Sequence, residues 1–148
     1  MAKTKKKRDK AYRAKVHAVP WWYQDGESAD SLRRTFGLYL YEGALALERG
    51  DATEIQVNVM CALFRLTRDL SEKMENSDEL RITLARAEAG ATMWLRADAG
   101  LVPMREEFKT NMLGGVEVAA QIVSLCSLYE LHRGIRRMRT NKREYSLE

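Results

Sequence analysis

Apolar residues recur along most of the chain with the three- and four-residue spacing of helices that bury one face. The first such row consists of Leu32, Phe36, Leu40, Ala44 and Leu47. Arg49 and Gly50 follow it. A cation near the last helical carbonyls, followed by a glycine that tolerates positive φ, is typical of a helix end. The pattern therefore predicts a first helix that begins near position 28 and ends at Gly50.

Two polar stretches predict where the next two helices begin. In DATE, Asp51 and Glu54 stand three residues apart, and in NSDE, Asn76 and Glu79 repeat that spacing. Side chains at this spacing satisfy the free amides of a helix start in a capping box. The apolar rows that follow are Ile55, Val59, Ala62, Leu63, Leu66 and Leu70 in the second helix, and Leu80, Leu84, Ala87, Ala91 and Leu95 in the third.

A fourth helical segment begins near Met104 and continues into the arginine-rich end of the chain. Gly114 and Gly115 lie in its middle, where each costs about 1 kcal/mol relative to alanine. Either the helix bends or restarts there, or the missing side chains let another helix approach closely. The fold class predicted from these segments is all-α, an antiparallel helical bundle of about four helices. The apolar row of this segment is Phe108, Met112, Val116, Ala119, Ala120, Val123, Leu128 and Leu131.

Charge is divided unevenly along the 148 residues. Residues 1–17 carry eight bases and one acid, and residues 132–148 carry six bases and two acids. The whole chain has a formal net charge of +4, so the middle carries −7 between ends of +7 and +4. We therefore predict a basic and aromatic N-terminal tail over 1–27, a helical bundle over 28–139 and a C-terminal tail over 140–148, with both ends flexible.

Two short stretches carry a resemblance to known proteins. ALALERGDAT begins at Ala44 and runs into the second helix, and YELHRG begins at Tyr129 in the last helix. With the basic tail before them, they resemble small helical accessory proteins of bacteriophages and prophages in proteobacteria, whose function is unassigned. The resemblance implies a non-enzymatic accessory role in a phage or mobile element and transfers no functional residues. The paired tryptophans and the arginine-rich end are not part of that pattern.

The residues that enzymes and metal sites require are sparse in this sequence. Glu130 and His132 are two residues apart, about 200° around a helix, so they do not form the Glu-x-x-His pair of di-iron bundles. Cys61 and Cys126 both lie in apolar helical patterns, which predicts reduced core residues rather than nucleophiles. We therefore expect a protein that is not an enzyme and that has no cofactor and no metal site.

The basic ends favour contact with nucleic acid. Clustered cations bind phosphates by releasing counterions, and aromatic rings beside them stack on unpaired bases. Arginines spaced i, i+3, i+4 also form a stripe on the last helix. We expect such contacts to be mostly independent of base sequence. The candidate nucleic-acid-binding residues are Lys5, Lys6, Lys7, Arg8, Lys10, Arg13, Lys15, Trp21, Trp22, Arg133, Arg136, Arg137, Arg139 and Lys142.

The sequence leaves other interpretations open. Trp21 and Trp22 would also serve to anchor the tail in an apolar groove of the bundle. The basic run would serve solubility alone if it has no partner. The acidic body offers the basic ends a protein partner, so the charge division also suits a homo-oligomer, or an inhibitor or adaptor of a host protein. Residues 38–41 (LYLY) place apolar groups on several faces of the first helix, as a dimer interface would.

The basic start of the chain is followed by PWWYQDGE and not by the apolar run, about 7 to 15 residues long, of a secretory signal. The longest apolar stretches are also too interrupted to span a bilayer. We therefore expect a cytoplasmic protein that has no membrane partner.

Overall fold

The computed structural model describes Gly26, residues 28–98 and residues 104–140, and the regular structure of this part of the chain is entirely helical. A 3₁₀ turn follows the second α-helix, and a π-helix continues the third. The all-α prediction is confirmed, with five α-helices where about four were expected. The elements are α1 (Ala29–Arg49), α2 (Glu54–Leu70), the 3₁₀ turn (Ser71–Lys73), α3 (Ser77–Met93), the π-helix (Trp94–Asp98), α4 (Glu106–Leu125) and α5 (Leu128–Thr140).

Both predicted capping boxes are wrong. Thr53 has the extended backbone of an N-cap, so its hydroxyl accepts from the Gln56 amide at 3.2 Å while the Gln56 side chain accepts from the Thr53 amide at 2.9 Å. This box replaces the predicted pair of Asp51 and Glu54. Asn76 precedes α3 in a left-handed conformation with φ of 59° and makes no side-chain cap. Asparagine tolerates this left-handed conformation better than most residues.

All five helices contribute to one hydrophobic core, whose large buried side chains include Phe36 of α1, Phe64 of α2 and Leu84 of α3. The predicted end of α1 is confirmed, because Gly50 has φ of 80° and its amide donates to carbonyls of the last turn. Ile55, in contrast, was expected on the buried face of α2 and is 69% exposed. The buried row of α2 begins two residues later, at Val57.

An ion-pair network that is largely shielded from solvent joins α2 to α3. Arg65 Nε donates to Glu88 Oε1 at 2.7 Å, and Arg68 Nη1 lies 2.7 Å from Glu88 Oε2. The Arg65 side chain is only 8% exposed and the Glu88 side chain 16%. Cys61 Sγ, earlier in α2, lies 3.6 Å from Thr92 Oγ1, later in α3. The two helices therefore meet in opposite sequence order, as helices that run in opposite directions do.

α4 passes through Gly114 and Gly115 without interruption. A Cβ atom at Gly115 would overlap the Cβ of Ala87 in α3 and lie 3.0 Å from Cε1 of Phe64 in α2. A Cβ at Gly114 would meet nothing closer than Thr83 Cγ2 at 3.9 Å. Of the two alternatives posed by the sequence, close helix approach is therefore correct, and it depends on Gly115 alone.

The predicted continuation of the fourth helix into the arginine-rich end is wrong. Cys126 is extended and ends α4, and Ser127 starts a new helix. The Ser127 amide donates to Glu130 Oε1 at 3.1 Å, and the Glu130 amide donates to Ser127 Oγ at 3.2 Å, which is a capping box. Arg33 of α1 donates through Nη2 to the Cys126 carbonyl, which α4 leaves without a helical partner. The arginines that follow thus belong to a separate helix.

Candidate nucleic-acid interface

One narrow apolar face orients α5 on the rest of the protein. Leu131, Ile135 and Met138 are buried. Gly134, between them, lies so close to α2 that an added Cβ would be 2.6 Å from Leu66 Cδ1. Because these positions recur every three or four residues, the opposite side of α5 faces solvent.

The solvent-facing side of α5 carries Arg133, Arg136 and Arg137, which we call the arginine stripe, and all three residues are exposed. Tyr129 precedes Arg133 by four residues and Arg136 by seven, so it lies in the same row. Its side chain is 71% exposed. Tyr129 is not among the predicted site residues, because α5 was expected to be the continuation of the fourth helical segment. Its spacing from the arginines was the signal that could have identified it.

Two surface grooves flank this row, and Tyr129 and Arg133 line both. The first has a volume of about 450 Å³, and its described lining contains arginines and a histidine but no carboxylate. The second, of about 300 Å³, has three acids and three bases in its lining. The described lining of the first groove is therefore the more basic of the two. Its lining is Gly26, Leu128, Tyr129, His132, Arg133 and Arg136; the charged lining of the second is Asp69, Glu72, Lys73, Glu130, Arg133 and Arg137.

Gly26 brings the chain to the edge of the first groove. Residues 1–17, which carry eight bases, precede Gly26 by at least nine positions in the sequence. The predicted site residues outside the described part of the chain are Lys5, Lys6, Lys7, Arg8, Lys10, Arg13, Lys15, Trp21, Trp22 and Lys142, and the side chain of Arg139 is likewise not described.

Neither a metal-binding cluster nor a membrane-spanning helix is found in the described ranges. Within 28–98 and 104–140, the His, Cys, Asp and Glu side chains form no group of three or more that would hold a metal ion. Over those same residues, no helix combines the length and apolar character required to cross a bilayer.

Both cysteines are buried in the core and unpaired with each other, as predicted. The pKa of the Cys126 thiol is raised to about 11, chiefly by burial and also by the charge of Glu130, while the charge of Arg33 opposes the shift. Burial also raises the pKa of the Cys61 thiol. Because the thiolate is the nucleophilic form, the raised pKa values leave neither thiol activated as a nucleophile.

We expect neither thiol of the folded protein to react with Ellman's reagent at pH 8, and both to react after unfolding in guanidinium chloride. With a pKa of about 11, roughly 10⁻³ of Cys126 is thiolate at that pH, against about a quarter of an ordinary cysteine. The measurement is the number of thionitrobenzoate ions released per chain. A thiol that reacts at the rate of free cysteine in the folded protein would contradict this expectation.

Compared with protein-family models, with curated proteins and with solved structures, the chain gives no match. The functional assignment therefore depends on the residues of the chain itself. The phage-protein resemblance of ALALERGDAT and YELHRG stays a prediction.

Proposed function

We propose that this protein is a non-enzymatic nucleic-acid-binding protein that contacts phosphates, mostly independently of base sequence, through α5 and its basic ends. One observation supports this most strongly. Tyr129, Arg133 and Arg136 share an exposed row beside a groove whose described lining has no carboxylate, and the chain enters at Gly26 on the same groove. The eight bases of residues 1–17 precede Gly26 in the sequence and would add cationic contacts to the same ligand.

The chemistry of this surface suits a flexible polyanion. Each guanidinium presents several N–H donors in a plane that matches two phosphate oxygens. Tyr129 stands among these cations and offers a ring on which an unpaired base stacks. The middle of the chain carries −7, so its acidic surfaces repel phosphates and favour binding at the basic end.

We infer an antiparallel helical bundle with flexible basic ends, and the opposite order of contacts between α2 and α3 supports it. We place the protein in the cytoplasm as an accessory factor of a phage or mobile element. The resemblance of two short stretches supports that role.

Replacing the three arginines of the stripe with glutamine is expected to reduce the salt dependence of binding to a single strand of about 20 nucleotides. Each lost phosphate contact removes about 0.7 from the slope of log K against log salt, so the slope falls by about 2. The measurement is fluorescence anisotropy of labelled DNA and RNA, titrated with the full chain between about 50 and 300 mM salt.

A matched variant distinguishes the α5 surface from net charge. Arg49, Arg81 and Arg86 are exposed on α1 and α3, and their replacement by glutamine removes the same charge from other faces. This control is expected to keep most of the slope of the unmodified protein. Equal losses in the two triple variants would show that α5 has no particular role. If the unmodified protein fails to bind at low salt, the proposal is wrong.

A protein partner is the second candidate function, favoured by exposed apolar side chains at the junction of α4 and α5. Leu125 is 74% exposed, Tyr129 71% and Leu128 39%. Neighbouring exposed apolar residues are typical of contact surfaces. An inhibitor or adaptor of a host protein would use this junction, and the titrations above would then show no binding to nucleic acid.

A further inference from the structure

The outer face of α1 carries a row of residues that the core does not use. The buried residues of this helix, such as Phe36, Leu40 and Leu47, lie on the opposite side. In the outer row, Tyr41 is 63% exposed, Leu38 is 53% exposed and Leu45 is half-buried. The row is Arg34, Leu38, Tyr41, Leu45 and Glu48, and its spacing of four, three, four and three residues is that of a coiled-coil seam.

Gly37, which lies beside this row, lowers the stability of α1 in the isolated chain. It is exposed in the middle of α1, and a Cβ atom there would meet none of the described atoms within 4 Å. A glycine inside a helix costs about 1 kcal/mol relative to alanine. At Gly115 that cost is offset by the close approach of α3, whereas none of the described atoms makes such a contact at Gly37. A helix from another molecule would provide one.

The charges at the two ends of the row indicate that the partner helix is α1 of a second copy. Arg34 lies at one end and Glu48 at the other, each seven residues from Tyr41. If α1 packs antiparallel against α1 of a second copy, with Tyr41 at the two-fold axis, Arg34 of each copy faces Glu48 of the other. Leu38 and Gly37 then lie opposite Leu45. The row is thus complementary to itself, as an isologous interface requires.

We propose that this protein forms a homodimer in which the outer rows of two α1 helices pack antiparallel about Tyr41. This interaction is independent of the nucleic-acid surface on α5. The row covers 15 residues, about 21 Å of helix at 1.5 Å per residue. A contact of that length is at the small end of protein interfaces, so we expect reversible dimerisation at micromolar concentration.

Charge exchange tests the pairing. In sedimentation equilibrium of the full chain between about 1 and 500 µM, the unmodified protein is expected to show a monomer–dimer equilibrium. Arg34→Glu or Glu48→Arg alone places like charges opposite each other at both ends of the seam, and each is expected to raise the dimer dissociation constant about tenfold or more. The double variant restores opposite charges and is expected to return to within a few-fold of the unmodified protein.

A second pair of variants tests the apolar centre. Tyr41→Asp brings two carboxylates together at the axis and is expected to give a monomer at every concentration. Ile82→Asp, at a 52% exposed position of α3, is expected to leave the dimer intact. Both positions face solvent, so neither change is expected to reduce the helix content seen by circular dichroism. A monomeric unmodified protein, equal effects at Tyr41 and Ile82, or no recovery in the charge exchange would each overturn the proposal.

Discussion

Gly115→Ala is expected to lower the free energy of unfolding by about 2 to 3 kcal/mol, although alanine is the better helix former. The added methyl group would overlap the Cβ of Ala87 and press on the ring of Phe64. Both neighbours are completely buried, so neither has free space into which to move. Relief requires α3 and α4 to separate, which weakens the packing along both helices. The measurement is urea unfolding followed by far-ultraviolet circular dichroism.

The adjacent glycine supplies the control. Gly114→Ala adds the same methyl group to the same helix, but its nearest neighbour would be 3.9 Å away. That variant is expected to be more stable than the unmodified protein by up to about 1 kcal/mol, the ordinary helix preference of alanine. If the two variants have the same stability, α3 and α4 do not pack as described.

Glu88→Gln is expected to lower the free energy of unfolding by about 3 kcal/mol or more. The carboxylate pairs with Arg65 and Arg68 at 2.7 Å in a site from which most solvent is excluded. Removing its charge takes a close anion away from two guanidinium groups, and breaking an ion pair that is largely shielded from solvent costs more than losing a surface pair. Urea unfolding at low and high salt would measure the loss, which we expect to change little with salt because the site is shielded.

An exposed ion pair is the comparison for this variant. Asp30 lies 3.5 Å from Arg33, and the Asp30 side chain is 88% exposed. Asp30→Asn is expected to change stability by less than about 1 kcal/mol, and less still at high salt. A loss at Glu88 no larger than the loss at Asp30 would mean that the network between α2 and α3 is solvated in solution.

Periodicity predicted the buried rows of the helices in large part. In α1, Leu32, Phe36, Leu40 and Leu47 of the predicted row are buried and the predicted end at Gly50 is confirmed, whereas Ala44 is only half-buried and Gly43 and Ala46 are buried instead. The capping predictions at Asp51 and Asn76 failed because a cap depends on the backbone conformation of the residue, and Thr53 and Asn76 adopt different ones. Sequence spacing alone does not distinguish these cases.

The break between α4 and α5 was not predicted, for a different reason. Apolar residues before Cys126 cover more than one side of the helix, and neither glycine nor proline marks the stop. The chain turns there because Ser127 and Glu130 cap a new helix and Arg33, distant in sequence, bonds to the Cys126 carbonyl. The pattern SLYE at 127–130 carried the local part of this signal. The contribution of Arg33 exists only after folding.

The candidate site was partly predictable. Spacing placed the arginine stripe correctly, since three arginines at i, i+3 and i+4 share a face of any helix. The uneven division of charge between the two grooves depends on Asp69, Glu72 and Lys73, which the fold brings to α5 from another part of the chain. That arrangement could not be derived from the order of residues.

Because two residues at Cys126 separate α5 from α4 and α5 has its own cap, we expect α5 to open as a separate cooperative unit. Its apolar contacts are Leu131, Ile135 and Met138, so we expect it to open at a smaller free-energy cost than the central helix α2. Its backbone amides are then expected to exchange with deuterium before those of α2. A ligand bound to the arginines would slow this exchange in proportion to its occupancy. The amide exchange rate of α5 would therefore measure how much ligand is bound.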